Sequence, residues 1–444
     1  MTGLRIFSYA MRWWVAVAWI DDLIREAEKS VDEVEVFSVE GESVSAELKT
    51  TKVSLATTSR DCGLGIRTIH KGRIGSSSTN NPEEWRECLK AAIASGKLAT
   101  PQEWGGLPGP ADLPMTPLAF DPDLTVEPAT ARELLESMLS GAQEHDAEVT
   151  AGSAGLSTTR VLLANSHGVR YSDEHTGVSV SLEAIHGQST GYEFDSSWAL
   201  DRIDPAHVGE RAGFFASESA KGTDIPSGSY DLLLSPLAWA ELLGNVFVPA
   251  LNGRSVHAGR SKFAGRLGEK VAYEGLSLYD DPHLPGAGGS TRWDAEGTPT
   301  RRIDFIEKGT LRAFAYDLKT AYRYGRESTG SASRGGYGGL PGIGHHNLVV
   351  DGERGSVDDE RVLSIHNLIG AHTANPLSGE FSVELANAFF MEGGEYQEPV
   401  RSAMLSGNVF DLHHTIAGLG KDTRNLGSMI LPSVRIHNQR IIGK

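Results

Sequence analysis

The sequence predicts an α+β protein built mostly of antiparallel sheets with interspersed single helices. Three observations carry this. Polar and apolar residues alternate over long stretches, as in half-buried strands. Helical periodicity comes in isolated blocks between those stretches. No GxGxxG turn follows a strand and no regular βα alternation recurs, which disfavours a doubly wound sheet.

The elements follow in order. Residues 1–12 read as an N-terminal extension. The run "WWVAVAWI" at 13–20 is apolar, and Ala16 and Ala18 mimic a signal-peptidase site. Arg12 and the Asp21–Asp22 pair bound it far short of the roughly 20 residues of a membrane span. A first amphipathic helix is expected over 13–30. "VDEVEVFSVEG" and "SVSAELKTTKVSLATTS" then alternate as strands. "GLGIRTIHKGRIGSSST" reads as a hairpin with Lys71-Gly72 at its turn. In "NPEEWRECLKAAIASGK", Asn81 can cap a helix, Pro82 fits its first turn and Gly96 ends it.

These segments set the organisation. Residues 13–98 form a first unit and the Pro/Gly-rich stretch 99–128 a linker or wrapping loop. A central unit spans 129–225, with a helix from "ATARELLESMLSGAQEH", several strands and a second helix near 205–219. The C-terminal unit, 226–444, opens with a strand ("YDLLLSP") and a helix ("LAWAELLGNVFVPAL"). In its later strand "GEFSVELANAFF", Phe381, Val383 and Leu385 face one way, Ser382 and Glu384 the other. The tract "STGSASRGGYGGLPGIGHH" at 328–346 is of low complexity, and its part "GSASRGGYGGLPGIG" is expected to be a flexible surface loop.

Composition narrows the function. The 444 residues carry 41 basic and 58 acidic side chains, a formal charge of −17. Without a basic run, phosphate backbones are repelled, so no nucleic-acid partner is expected. No membrane association is expected either, and the compartment expected is the cytoplasm. Cys62 and Cys88 make no disulfide framework and suit a reducing compartment.

Chemistry-bearing residues concentrate in "SLYDDPHLPGAGGSTRWDAEG", 277–297. Asp280, Asp281, His283, Asp294 and Glu296 gather around a Gly-rich bend, which fits either an active site or carboxylates pinning a long turn. No HExxH, GxSxG or phosphate-binding loop occurs. The doublets His345-His346 and His413-His414 are poor chelators, because neighbouring side chains point apart.

Several motifs together resemble the TldD/PmbA (TldE) metalloprotease family. They are "GLGIRTIHKGRIG", "LLANSHGV" at 162–169, "DDPHLPGAGGSTRWDAEGTPTRR" with "IEKGTLRAFAYDLKTAYRYGRESTG", "NPLSGEFSVE" at 375–384, and the closing "LPSVRI". They keep their order from about residue 20 to the C-terminus. The resemblance implies two branches that pair as a heterodimer. The TldD branch carries a His-Glu-x-x-x-His helix and a later cysteine that hold zinc. In "AELLGN", 240–245, the two histidine places hold Ala240 and Asn245, while Glu241 and Gly244 remain. The segment "GLGKDTRNLGSMILPS" has no cysteine.

Alanine has no donor atom, and an Asn amide is a poor zinc ligand beside imidazole or thiolate. The expectation is therefore a TldE/PmbA-like chain with no cofactor of its own. It would pair with a zinc-bearing TldD-like catalytic subunit in proteolysis of unfolded or short peptides; the alternative is a stand-alone homodimer that binds peptides or serves as a scaffold without peptidase activity. By the same resemblance the 277–297 loop is not the zinc site. It is expected to shape an interface or substrate channel, with Asp281 and His283 touching peptide. The strand edge at Phe381 and Ser382 is expected to receive peptide by strand addition.

Overall fold

The computed structural model describes residues 19–444. The part of the expected first helix at 13–18, and the extension 1–12, lie outside the described residues. Residues 19–27 are helical (α1), with Leu23 and Ala27 fully buried.

Six strands follow the alternation: β1 (Glu33–Lys49), β2 (Lys52–His70), β3 (Arg73–Thr79), β4 (Glu148–Asn165), β5 (Arg170–His186) and β6 (Ser189–Ser197). They form one antiparallel sheet in the order β3-β2-β1-β4-β5-β6. The units 13–98 and 129–225 therefore share a sheet, joined along β1 and β4 from Glu35↔Asn165 to Lys49↔Ala151. Alternation reveals strands but not their partners, so the sequence divides what the sheet unites. The β2–β3 hairpin turns at Lys71 and Gly72, both with positive φ (51° and 71°), as a tight two-residue turn requires.

Helices α2 (Trp85–Leu98), α3 (Pro128–Ala142) and α4 (Pro205–Ser219) cover this sheet. Asn81 accepts from the Glu83 N–H just ahead of α2, and Asp204 caps α4 through His207 N–H. Helices α3 and α4 approach closely at glycine. A Cβ on Gly209 would lie 1.8 Å from the Met138 carbonyl oxygen, and one on Gly141 2.0 Å from that of Ala206. The segment between α2 and α3 is a wrap rather than a free linker. Leu107 and Ala119 are buried, Trp104 donates to Glu33, and Asn165 donates to the Pro108 carbonyl.

The C-terminal unit holds two larger sheets around one core. Five strands, Gly228–Leu234, Val362–Ile369, Glu380–Glu392, Met404–Asn408 and Val434–Ile442, pair in a closed ring. A second sheet of six short strands contains Leu276–Asp280 and Leu348–Gly352. The helix α5 (Pro236–Leu242) continues through a π turn, Leu243–Phe247, to Val248–Ala250. Trp239, Leu242, Val246 and Phe247 on it are fully buried in the core shared by both sheets. Each such side chain contributes about 1.5–3 kcal/mol, which makes this helix an anchor.

Candidate functional site

The acidic loop is built from inside. Asp280 is fully buried and accepts the main-chain N–H groups of His346 and Asn347 at 2.9 and 2.8 Å. It also faces His346 Nδ1 at 3.1 Å. Asp294 accepts from Glu296, Thr298 and Ala332 N–H at 2.9–3.0 Å. Burial raises its pKa and those three donors restrain the rise. Asp281 accepts from His283 N–H at 2.9 Å, and His283 Nε2 meets Thr300 Oγ1 at 3.0 Å. The Asp281 and His283 side chains are half-buried. The carboxylates thus satisfy loop backbone, the turn-pinning role that the sequence left open.

Glu296 belongs to a larger cluster. Arg67 on β2 bridges Glu296 and Glu35 at 2.6 Å each, and Arg334 also reaches Glu35. Every member is almost fully buried. Burial opposes ionisation of Glu35, yet the two guanidinium groups outweigh it and hold its carboxyl below the usual range. Burial pushes Glu296 up to about 7 despite Arg67, with Asp294 and Asp317 adding to the rise. Leu318 N–H donates to its other oxygen at 2.7 Å. This cluster locks the first sheet to the C-terminal unit.

Arg334 reaches Glu35 because 328–346 is not a free loop. Ala332–Ser333 pairs with Gly342–Ile343 as a short hairpin, and Arg334 stacks 4.6 Å from the Phe37 ring centroid. Tyr337 lies on β2 where Gly63 and Gly65 leave room. A Cβ on Gly65 would stand 2.0 Å from the Tyr337 carbonyl oxygen. Glycine content suggested mobility; the docking uses those missing side chains instead.

Helix α5 turns Ala240, Glu241, Gly244 and Asn245 away from its buried stripe, and all four are half-buried. Asn245 Nδ2 donates to the Glu241 carbonyl at 2.8 Å and lies 3.4 Å from Glu241 Oε2. A π turn at this position widens the helix where Asn245 sits, a feature frequent at functional sites. The Met429 methyl would meet a Cβ on Gly244 at 3.3 Å.

Family models cover the chain in three pieces: the PmbA/TldA metallopeptidase domain 1 at 34–96, the central domain at 121–220 and the C-terminal domain at 227–443. The chain belongs to the PmbA/TldD metallopeptidase family. An uncharacterized protein of Methanocaldococcus jannaschii is 30% identical over 420 residues, 94% of this chain and 98% of that protein. The metalloprotease PmbA of Escherichia coli O157:H7 is 27% identical over 90% of this chain and 93% of its own. The crystal structure of TldE from Thermococcus kodakarensis superposes with a TM-score of 0.88 at 29% identity, covering 96% of this chain and all of that one.

The family name implies a metal, and the residues on α5 do not fit one. Ala240 offers no donor atom, and Asn245, whose Nδ2 is held on the Glu241 carbonyl, offers only an amide oxygen, a poor zinc ligand. Among the described residues no three His, Cys, Asp or Glu side chains gather as a metal site. The doublets divide as adjacency dictates. His413 is fully buried, stacked 4.1 Å from the Phe247 ring, with Nδ1 bonded to the Val409 carbonyl, while His414 is exposed. Burial lowers the His413 pKa to about 4, so it is a neutral core residue. His345 bonds Ser428 and His346 bonds Asp280.

The expected strand edge is mostly occupied. Glu380–Glu392 pairs with Met404–Asn408 over 380–384 and Glu395–Val400 over 388–392 on one side, and with Val362–Ile369 from Glu384 onward on the other, so Phe381 and Ser382 pair on one side. Phe381 is a buried core residue and only Ser382 is exposed. The structure brings Asp281 to His283 and Glu241 to Asn245. It leaves Phe381 and Ser382 on the strand ring, a different sheet from the 277–297 loop. Sequence reading missed Arg67, Glu35 and Arg334, which lie 32 and 299 positions apart from Glu35. A lone Arg between β-branched residues in "GIRTI" was the one local hint.

Proposed function

We propose that this chain is the zinc-free, TldE/PmbA-like subunit of a cytoplasmic peptidase. It would complete the substrate chamber of a TldD-like catalytic chain that carries the zinc. The observation that carries this reading is the α5 face: Ala240 and Asn245 supply no imidazole, and Asn245 is folded onto Glu241. Glu241 keeps the position of a general base but has no metal-bound water to act on. The named relatives support the peptidase context, since one is called a metalloprotease and another TldE. Among the described residues no helix is long and apolar enough to cross a membrane.

Within this reading, Asp281 and His283 are the loop residues placed to meet a peptide. Asp280, Asp294 and Glu296 are committed to the fold, whereas these two remain half-exposed at its rim. Co-expression with a TldD-like chain tests the proposal. A stable heterodimer should form and cleave an unstructured peptide, with each chain inactive alone and a chelator abolishing cleavage. A self-dimer that ignores the TldD-like chain, or chelator-resistant cleavage by this chain alone, would overturn it.

A further inference from the structure

A cavity of about 540 Å³ opens between β6, α4 and the C-terminal unit, beside the start of α5. Its walls mix both charges, but the two signs are not equally committed. Glu193 is bridged to Arg424 at 2.6 Å and lies 3.3 Å from His366. Asp204 caps α4, and Asp422 accepts both the N–H and the hydroxyl of Ser433. Asp195 accepts from Ser196 N–H at 2.8 Å.

The arginines differ. Among the described residues, Arg211 makes no ion pair. Its guanidinium is 4.3 Å from the Phe215 ring centroid and 3.3 Å from Tyr396 Oη. Arg202 lies 4.5 Å over Trp198 and reaches only the Gly286 carbonyl, at 3.4 Å. Aromatic faces hold both planes while most of their N–H donors stay unused, the arrangement that suits bidentate carboxylate recognition. Asn425 also lines the cavity, and its Oδ1 is buried with no donor. A buried acceptor left unpaired costs stability and marks a place for an N–H.

Strand addition meets competition beside the cavity, where Phe194 N–H is taken by Glu193, the Phe194 carbonyl by Arg424 and Ser196 N–H by Asp195. The cavity instead offers side chains, the arginines to an anion and Asn425 to an N–H.

We propose that this cavity binds the C-terminal carboxylate of a peptide, with Arg211 and Arg202 on the carboxylate and Asn425 on the last peptide N–H. The proposal rests on the peptide-handling reading above and adds the part of the substrate this chain recognises. The test is fluorescence anisotropy on the full chain alone, with an N-terminally labelled hexapeptide as the free acid and as the C-terminal amide. The acid should bind at least about tenfold tighter, the scale of one charged hydrogen-bonded contact.

Arg211→Gln and the exposed Arg202→Gln should each erase that preference, and Arg211→Lys should restore only part of it. Thermal melts of each variant separate lost binding from lost folding, and Arg202→Gln should melt with the wild type. Equal binding of acid and amide, or an unchanged preference in both Gln variants, would overturn the proposal. So would inorganic phosphate displacing either peptide equally well, which would make the cavity a general anion site. Because the lone chain is used, failure here leaves heterodimer formation untouched. Failure to form a heterodimer would likewise leave this binding intact.

Discussion

Two charge-rich seams join the first sheet to the C-terminal unit, and they differ in what they leave over. At the Arg67 seam, Glu35 and Glu296 are bridged by buried guanidinium groups at hydrogen-bond distance. At the Arg424 seam, Glu193, Asp204 and Asp422 are held by partners, while among the described residues Arg211 and Arg202 have no carboxylate and Asn425 Oδ1 has no donor, and about 540 Å³ of space adjoins them. Both seams hold arginines and carboxylates, so charge alone does not distinguish a lock from a site. Unused hydrogen-bonding capacity beside open volume does.

The largest effect should come from breaking the lock. Glu35→Ala strands Arg334 without a carboxylate and leaves Arg67 with Glu296 alone in a dry interior, and should cost about 3–5 kcal/mol in urea unfolding. A loss under about 1 kcal/mol would mean the seam is wetter than its burial shows. Next is Gly65→Ala, whose methyl would strike the Tyr337 carbonyl. It should cost about 1–3 kcal/mol and expose 328–346 to limited proteolysis. A still-protected hairpin would show that the docking does not depend on that glycine.

His413 gives an effect of similar size that depends on pH. Its folded pKa is depressed to about 4 by burial. Below the ordinary value of 6.5 the unfolded chain binds a proton that the folded chain refuses, so stability falls with pH from 6.5 to 4. The full loss is about 3 kcal/mol. Glu296 is raised to about 7 and works in the opposite sense between 7 and 4.5. The measurement is therefore the difference between wild type and His413→Phe across that window, and a constant difference would contradict the assignment. The smallest effect is at the loop rim. His283→Ala should cost about 1 kcal/mol or less in stability while raising the KM of the assembled peptidase for peptide. An unchanged KM would remove His283 from the substrate path.

Strands, hairpin turn and helix boundaries were legible because they depend on local period and turn chemistry. "HKGR" demands positive φ, and 205–219 begins at an Asp-Pro cap. The pairing of β1 with β4 was not legible, because each strand alternates in the same way. Nor was the docked hairpin, since "GSASRGGYGGLPGIG" has the composition of a mobile loop and its contacts come from β2. The acidic loop shows the converse. Its carboxylates drew attention as chemistry, while their partners, Ala332 and His346 N–H and Arg67, lie far off in sequence. The α5 face was marked out by the resemblance, which sets Ala240 and Asn245 where histidines would stand, and no local period or turn signal points to it.

The central claim is that α5 holds no metal. Elemental analysis of the purified lone chain, before and after dialysis against zinc, tests it most directly. Well under one equivalent of zinc should remain, with one equivalent appearing only when a TldD-like chain is present. One tightly held equivalent in the lone chain, lost on Glu241→Gln, would contradict the claim.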